Sequence, residues 1–345
     1  MDFLQKQLLK WYKTHKRDLP WRSTKDPYFI WLSEVIMQQT QVIHGLNYYL
    51  KFIEKYPKVG LLAKAPNDEV MKLWQGLGYY SRARNLHYAA KQIVKQHKGQ
   101  FPTDFESILS LKGVGNYTAA AIASIAFNLP HAVVDGNVYR VLSRVFGIKT
   151  PIDSTKGKKE FQELADGLLP KKEAGTYNQA LMEFGALQCR PVNPDCSVCV
   201  LRENCFAFAN KMISQLPVKE KKIKISNRYL NYFIYIYNKH TYIRKRGPKD
   251  IWQGLYEFYL VETNKKEKPE NLLKQLKLKD ATVKKVSEEY KHVLSHQHLY
   301  ARFIIVEMKK EPNLKGFKKV KLSEIGKYAF PRLIEKHLNN SGLIP

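Results

Sequence analysis

The chain has 345 residues, of which 44% are hydrophobic and 12% aromatic, so it is globular rather than disordered and long enough for about two domains. It contains no apolar run long enough to span a membrane, and its N-terminus lacks the pattern of a signal peptide, so we expect a cytoplasmic protein without membrane association. Its 58 Lys and Arg against 31 Asp and Glu give a net charge of +27, which favours a nucleic-acid partner, although a general solubility bias is the alternative.

The first 210 residues read as helices separated by glycine and proline, without an alternating strand pattern. A first helix should end at Asp18–Pro20, and Asp26–Pro27 should precede a second one over Tyr28–Leu50. Later helices are predicted at Asn137–Phe146, Thr155–Leu169 and Tyr177–Leu187. We therefore predict an all-α domain over residues 1–210.

A tight turn, LKGVG, separates two helical patterns within residues 105–127. The glycines at Gly113 and Gly115, with Val114 between them, let backbone N–H groups approach a phosphate, and the N-terminus of the next helix adds its dipole. An ordinary helical hairpin with a glycine cap is the alternative. In so basic a chain the pattern favours a helix-hairpin-helix module that binds the nucleic-acid backbone without reading its sequence.

All four cysteines of the chain, Cys189, Cys196, Cys199 and Cys205, fall within seventeen residues with the spacing C-x6-C-x2-C-x5-C. Four clustered thiols in a large chain otherwise free of cysteine indicate a metal or cluster site rather than disulfides. A [4Fe-4S] cluster takes four thiolates, as does structural zinc, but zinc sites usually show two CxxC-like pairs. We expect the iron–sulfur cluster, with zinc as the alternative.

The composition changes after residue 210. The charged stretch LPVKEKKIKI suggests a linker over 211–226 before a separate α+β domain over 227–345. Strands are predicted at Tyr229–Tyr237, Thr241–Arg246, Tyr256–Glu262 and Tyr300–Met308, and helices at Asn271–Leu276 and Ser323–His337.

The hairpin, the segment VVDGNVYRVLSR and the four cysteines, in this order, resemble the helix-hairpin-helix DNA glycosylases of the endonuclease III type. The resemblance implies that Asp135 is the essential aspartate, although Asp-Gly-Asn alone would read as a turn or helix cap. Members with lyase activity carry a nucleophilic lysine where this chain has Tyr117, and Lys112 lies in the turn. Since tyrosine cannot form a Schiff base, we expect hydrolysis without strong lyase activity.

Residues 18–44, DLPWRSTKDPYFIWLSEVIMQQTQVIH, resemble the mismatch-specific adenine DNA glycosylases of the MutY type. Their second carboxylate falls at Glu34, whose neighbours Trp31, Val35 and Ile36 are apolar. A carboxyl in such surroundings has a raised pKa and can remain protonated near neutral pH. It could therefore protonate N7 of adenine. This matters because adenine is a poor leaving group unless one of its ring nitrogens is protonated.

The same resemblance implies roles for further residues. Asn137 and Tyr117 should orient the two carboxyl groups. Trp21, Arg22, Gln179 and Met182 should line the adenine pocket, although Trp21 and Met182 could equally be core residues. The positions expected to contact the opposite base or wedge the duplex are Met37, Gln39, Thr40, Leu77 and Tyr79.

The C-terminal stretches IWQGLYEFYLVE and HVLSHQHLYARF resemble the Nudix-like domain of adenine glycosylases, which reads 8-oxoguanine. The sequence has no Nudix hydrolase box, so pyrophosphate hydrolysis is not expected. The family's lesion-reading loop is Phe-Ser-His; here Ser295 and His296 match, and Leu294 replaces the aromatic residue.

The resemblance implies a monomeric, monofunctional adenine DNA glycosylase that acts on double-stranded DNA with adenine opposite 8-oxoguanine or guanine. The expected fold is an all-α helix-hairpin-helix domain with an iron–sulfur cluster loop, followed by an α+β Nudix-like domain. A related glycosylase for thymine opposite guanine and a non-catalytic damage sensor are the alternatives. Glu34 argues against the first, and Glu34 together with Asp135 argues against the second.

Overall fold

The computed structural model describes residues 2–220, 224–276 and 280–343. Its chain divides into two compact units: unit 1 comprises Met1–Lys64 and Asn85–Lys221, and unit 2 comprises Ala65–Arg84 and Lys222–Pro345. Residues 221–223 of the predicted linker, and residues 1, 277–279 and 344–345 of the predicted domains, lie outside the described residues. Among the helices of the described ranges, none is long and apolar enough to cross a membrane.

The described residues before Ser226 are helical and contain no strand, as predicted. The helices up to the hairpin are α1 Asp2–His15, α2 Pro27–Met37, α3 Val42–Lys55, α4 Val59–Lys64, α5 Asn67–Leu73, α6 Ser81–Gln96 and α7 Phe105–Leu109. Those that follow are α8 Asn116–Phe127, α9 Gly136–Phe146, α10 Thr155–Leu168, α11 Ala174–Leu187 and α12 Phe206–Ala209, with short 3₁₀ turns at Pro20–Arg22 and Arg202–Asn204.

The single helix predicted over Tyr28–Leu50 is wrong, because the chain breaks between α2 and α3. Asp26 caps α2 by accepting from the backbone N–H of Tyr28, and Pro27 occupies the first helical position, as expected. The helix then ends at Met37, and Gln39 adopts a left-handed backbone conformation with φ of 54°. Hydrophobic periodicity continues through this break, so the pattern alone did not reveal it.

Helix α11 lies at the centre of unit 1 and packs against α1, α8 and α9. Trp11 meets Phe184 edge to face at 5.0 Å, in a core that also includes Val138 and Phe161. At Gly185 a Cβ atom would lie 2.6 Å from Cβ of Asn137, so glycine is required for α11 to approach the start of α9 this closely. This approach sets the side chains of α11 beside those at the N-terminus of α9.

Unit 2 is built on a mixed sheet. Its strands are β1 Ser226–Tyr237, β2 His240–Lys245, β3 Tyr256–Glu257, β4 Tyr259–Thr263, β5 Ala281–Val286, β6 Tyr290–Val293, β7 Gln297–Met308 and β8 Lys318–Lys321. The main order is β3-β2-β1-β7-β5, with β4 paired to β1, β6 to β7 and β8 to β2. Strands β1 and β7 run parallel from Ser226 opposite Gln297 to Ile236 opposite Glu307, and the other pairs are antiparallel.

Both faces of the central strands are covered. Tyr232 stacks on Phe303 at 5.3 Å on the face covered by α14 Arg332–Ser341, whereas Phe233 and Ile304 lie on the other face with Leu272 of α13 Pro269–Leu276. Burial on both faces explains why β1 and β7 read as nearly continuous apolar runs. The four predicted strands fall on β1, β2, β3 with β4, and β7, whereas the lysine-rich β5 and β8, and β6, were not predicted.

The helix predicted over Ser323–His337 is wrong as one element. A 3₁₀ segment covers Leu322–Lys327, and α14 begins after Pro331. Proline disfavours helical conformation in the residue before it, which separates the two segments.

Candidate active site

A cavity of about 540 Å³ opens in unit 1 between the 3₁₀ turn Pro20–Arg22, helices α2 and α11, and the first turns of α8 and α9. It brings together most of the residues predicted from the sequence to act on the base. These are Trp21, Arg22, Glu34, Met37, Thr40, Tyr117, Asp135, Asn137, Gln179 and Met182. Gln39 is exposed and is not among the lining residues.

Glu34 faces this cavity from the third turn of α2, among buried Ser33, Val35 and Ile36. Its Oε2 atom accepts a hydrogen bond of 2.8 Å from the hydroxyl of Tyr117. Burial raises the pKa of Glu34 to about 7, and the nearby charge of Asp135 acts in the same direction, against the hydrogen bond from Tyr117. Near neutral pH, Glu34 is therefore available both as an acid and as a base.

Asp135 is the N-cap of α9 and also lines the cavity, so the helix-cap interpretation and a role in the site are compatible. Its Oδ1 atom accepts from the backbone N–H groups of Asn137 and Val138, each at 2.8 Å, and Oδ2 accepts from the side-chain amide of Asn137 at 2.8 Å. Burial raises the pKa of Asp135, whereas these donors favour its charged form.

Tyr117, the second residue of α8, links Glu34 to the wall of the cavity, because its hydroxyl also lies 3.7 Å from Sδ of Met182. Burial raises the pKa of Tyr117 well above its usual value, so the hydroxyl stays protonated as a donor. Lys112 is exposed in the hairpin turn and is not among the residues that line the cavity.

Two charged residues of the cavity, Arg17 and Glu183, were missed in the sequence. Glu183 is buried and accepts from Arg22 Nη1 and Nη2 at 2.7 Å each and from Arg17 Nε and Nη2 at 2.9 and 2.6 Å. Burial acts to raise its pKa, but the hydrogen bonds from the two arginines prevail and lower it to about 2. The apolar surroundings LMEFG were the available signal, since the same cue singled out Glu34.

Arg140, also missed, connects the site to the first cysteine of the cluster motif. Its Nη2 atom donates to Oδ1 of Asn137 at 2.8 Å, and its Nε atom donates to the carbonyl of Cys189 at 2.7 Å. The amide that binds Asp135 is thus fixed on its other side by a residue that also holds the cysteine loop.

The four cysteines line one small cavity after α11. Arg144 is buried there, and its Nη1 atom lies 3.4 Å from Sγ of Cys189, where a cation offsets the charge of thiolates. Four thiols around one cavity are a donor set that suits an iron–sulfur cluster. Within the described ranges, no three or more His, Cys, Asp or Glu side chains are gathered so as to hold a single metal ion.

The LKGVG turn forms the predicted hairpin between α7 and α8. Gly113 has φ of 82°, Val114 is buried, and Gly115 is the N-cap of α8 without a side-chain cap. Gln92 of α6 holds the turn by accepting from the backbone N–H of Lys112 at 3.1 Å and donating to the carbonyl of Ser110 at 3.2 Å. The turn presents two exposed glycines and a helix N-terminus that no described side chain caps, an arrangement that suits a phosphate.

A second cavity, of about 730 Å³, lies in unit 2 and is lined by Leu77, Tyr79, Ser295 and His296. Tyr79 is half exposed, with φ of 46°, and its hydroxyl lies 3.0 Å from Oγ of Ser295. Leu294 is partly buried against the core of the unit. Of the residues predicted to contact the opposite base, Leu77, Tyr79, Ser295 and His296 therefore meet here, whereas Met37, Gln39 and Thr40 lie in unit 1 and do not line this cavity.

Comparison with known proteins matches residues 32–168 to the HhH-GPD superfamily of base excision DNA repair proteins and residues 231–340 to the NUDIX domain. An adenine DNA glycosylase of Buchnera aphidicola subsp. Baizongia pistaciae is 35% identical over 85% of this chain and 83% of its own length. This chain belongs to the adenine DNA glycosylases. It is thus a glycosylase of the HhH-GPD superfamily, and the fold class predicted from its sequence is confirmed.

Solved structures also resemble part of this glycosylase. A thermostable thymine-DNA glycosylase matches with a TM-score of 0.57 and 33% identity, over 61% of this chain and 96% of that one. Endonuclease III in a non-covalent DNA complex matches with a TM-score of 0.54 and 23% identity, over 61% of this chain and 96% of that one, which supports the fold.

Proposed function

We propose that this glycosylase hydrolyses the N-glycosidic bond of adenine paired with 8-oxoguanine or guanine in double-stranded DNA and leaves an abasic site. One observation carries the proposal. Glu34, whose pKa is about 7, and Asp135, held by three donors that favour its anion, line the same cavity. One group can give a proton to the base while the other faces the developing cation.

In this mechanism the adenine first leaves the duplex for the cavity, at a cost of a few kcal/mol that is smaller at a mismatch. Glu34 protonates N7, the glycosidic bond breaks, and the electron pair of that bond leaves with the base. Asp135 stabilises the oxocarbenium-like sugar; at about 4 Å and an effective dielectric of about 20, such a charge pair contributes roughly 4 kcal/mol, or about a thousandfold in rate. Glu34 then takes a proton from the attacking water.

Tyr117 and Asn137 are positioning residues in this proposal. The hydroxyl of Tyr117 orients Glu34, and the amide of Asn137 orients Asp135. Because a tyrosine stands where lyase members of the superfamily have lysine, the enzyme should leave the abasic site intact. This makes it monofunctional.

We further propose that the hairpin at Gly113, Val114 and Gly115 binds the DNA backbone and that the protein acts as a monomer. The cavity of unit 2 would read the opposite base through Ser295 and His296, with Tyr79 stacking beside it. Aromatic stacking on a base contributes about 1–3 kcal/mol. Leu77 of the same cavity would add an apolar contact, and Met37, Gln39 and Thr40 of unit 1 would contact or wedge the duplex.

Cys189, Cys196, Cys199 and Cys205 would hold a [4Fe-4S] cluster. When bound, it supplies cross-links between four points of the loop and orders residues 190–204. A tetrahedral zinc with bonds of about 2.3 Å would draw the sulfurs close around one point. The four thiols line one cavity, which supports a group held by four thiolates, and the spacing C-x6-C-x2-C-x5-C with its single CxxC pair favours the cluster over zinc.

The likeness to a thymine-DNA glycosylase makes thymine opposite guanine the second candidate substrate. Thymine has no N7, so a protonated Glu34 would have no such role there. The 35% identical adenine DNA glycosylase also matches over 85% of this chain, whereas the thymine-DNA glycosylase matches over 61%. Both observations favour adenine.

Single-turnover cleavage would test the proposal on duplexes with adenine opposite 8-oxoguanine, adenine opposite guanine, thymine opposite guanine and adenine opposite thymine. We expect alkali-dependent strand breaks at the first two. Breaks without alkali would contradict the monofunctional assignment. Release of thymine from the thymine–guanine duplex would favour the second candidate substrate. Tight binding without turnover would favour a damage sensor.

A further inference from the structure

Gln179 lines the catalytic cavity, and one end of its side-chain amide is already engaged. Its Oε1 atom accepts a hydrogen bond of 2.8 Å from the hydroxyl of Tyr12, a buried residue of α1 that is not among those lining the cavity. Among the described residues, Nε2 of Gln179 has no hydrogen-bond partner. The amide therefore lies between a fixed donor and the space where a base would bind.

The donor itself is held firmly. The guanidinium of Arg22 lies over the ring of Tyr12 at 5.6 Å, and Glu183 holds Arg22 by two hydrogen bonds of 2.7 Å. Burial also raises the pKa of Tyr12, so the hydroxyl remains a donor. If the amide of Gln179 turned over, its NH₂ group would donate to that hydroxyl, and the hydroxyl's own proton would lose its acceptor at a buried residue, which costs free energy.

We propose that Tyr12 is a positioning residue that sets base specificity by fixing the amide of Gln179 with its NH₂ group towards the cavity. The cavity then offers a hydrogen-bond donor to a ring nitrogen of the flipped purine. Because Glu34 is assigned to N7, the acceptor is N1 or N3. This inference rests on the proposed function and adds to it a role for Tyr12 in selecting a base with an acceptor nitrogen at that position.

The test uses the full-length protein and duplexes with adenine, 1-deazaadenine or 3-deazaadenine opposite 8-oxoguanine. Each analogue lacks one candidate acceptor but keeps N7. In single-turnover reactions the wild type should remove the analogue that lacks the acceptor roughly tenfold more slowly than adenine. This factor comes on top of any difference in the intrinsic reactivity of the analogue. In Tyr12→Phe the amide of Gln179 can turn over, so the variant should remove adenine roughly five- to tenfold more slowly than the wild type does. Within the variant, the same analogue should react less than about threefold more slowly than adenine.

Comparing both proteins on the same substrates cancels the intrinsic reactivity of each analogue. The matched control is Tyr177→Phe, which removes a hydroxyl that is buried on the same helix as Gln179 and has no partner among the described residues. Tyr177→Phe should keep the wild-type analogue ratios. The pH profile of Tyr12→Phe should keep its wild-type midpoint, because Tyr12 makes no contact with Glu34 among its described hydrogen bonds.

The inference would be overturned if the ratio of the adenine rate to the analogue rate were the same in the wild type and in Tyr12→Phe. It would also be overturned if Tyr177→Phe lowered this ratio as much as Tyr12→Phe does. If the wild type removes no adenine opposite 8-oxoguanine, the proposed function itself fails. The two failures are thus distinguishable within one set of reactions.

Discussion

Glu34 is a carboxyl group whose protonation changes near neutral pH, because burial raises its pKa to about 7. The proposed reaction needs the protonated form, so the single-turnover rate should fall as pH rises through about 7. Since the hydrogen bond from Tyr117 stabilises the charged form, Tyr117→Phe should raise the pKa further and move this midpoint to higher pH. Rates measured between pH 5 and 9 check both expectations. A midpoint that moved down in Tyr117→Phe would contradict the role of the hydrogen bond.

The same raised pKa predicts a pH-dependent stability. A carboxyl that binds its proton more tightly in the folded state makes the fold less stable as pH rises from about 4.5 to about 7. Glu34→Gln removes this cost, so the variant should be more stable than wild type by about 1–3 kcal/mol at pH 8 and show no such gain at pH 4.5.

Denaturant unfolding of both proteins at the two pH values measures this difference. Glu163→Gln, which removes an exposed glutamate of α10 paired with Lys159, is the control and should show no pH-dependent gain. A gain for Glu34→Gln that is the same at both pH values would exclude the linkage to titration.

The residues of the site differ in how readily the sequence reveals them. Glu34, Asp135 and Tyr117 stand in recognisable motifs, and their expected positions converge on one cavity. Glu183 had the apolar setting LMEFG as a local signal, but its pairing with Arg17 joins residues 166 positions apart, and the pairing of Tyr12 with Gln179 joins residues 167 apart. Local pattern carries no information on such pairs.

At the scale of elements, the hairpin depends on the conformation of one glycine. Gly113 has φ of 82°, and a Cβ atom there would lie 2.5 Å from the side chain of Asn85, whereas Gly115 has φ of −104° and open space. Gly113→Ala should therefore destabilise the fold by more than about 1 kcal/mol and weaken binding to undamaged duplex DNA.

Gly115→Ala is the matched control and should change stability by less, because alanine is free of strain there. Thermal unfolding and fluorescence-based binding to an undamaged duplex measure the two effects. If Gly115→Ala were as destabilising as Gly113→Ala, the left-handed turn would not be the feature that decides stability.

Helices and strands were predictable where one face or both faces are regularly apolar, as in β1, β7 and α9. The two helices predicted as single elements break for different reasons, one before α14 at Pro331 and the other after Met37 without a local signal. The turn after Met37 ends a helix without proline or glycine, and Gln38 there donates to Thr118 of α8 at 3.1 Å. Strand β5, with the sequence ATVKKV, is mostly exposed and is held by its pairing to β7, so its own composition gave little signal.

For the whole molecule, a net charge of +27 predicts strongly salt-dependent DNA binding. If the protein contacts about six to ten phosphates, its affinity should fall by about 10³ to 10⁵ between 50 and 200 mM salt. Equilibrium titrations with Asp135→Asn, which separates binding from turnover, measure this slope. A slope near zero on a log–log plot would show that the charge serves another purpose.

Unit 2 combines residues 65–84 with residues that begin at 222. During synthesis the early segment therefore emerges while roughly 140 residues that separate it from its partners are still to be translated. At about 5–20 residues per second, the rest of the chain takes on the order of 10–50 s to follow. Over that interval the GLGYY turn lacks the later residues of its unit, such as Ser295, whose Oγ atom lies 3.0 Å from the hydroxyl of Tyr79, so the cavity of unit 2 forms only late in synthesis.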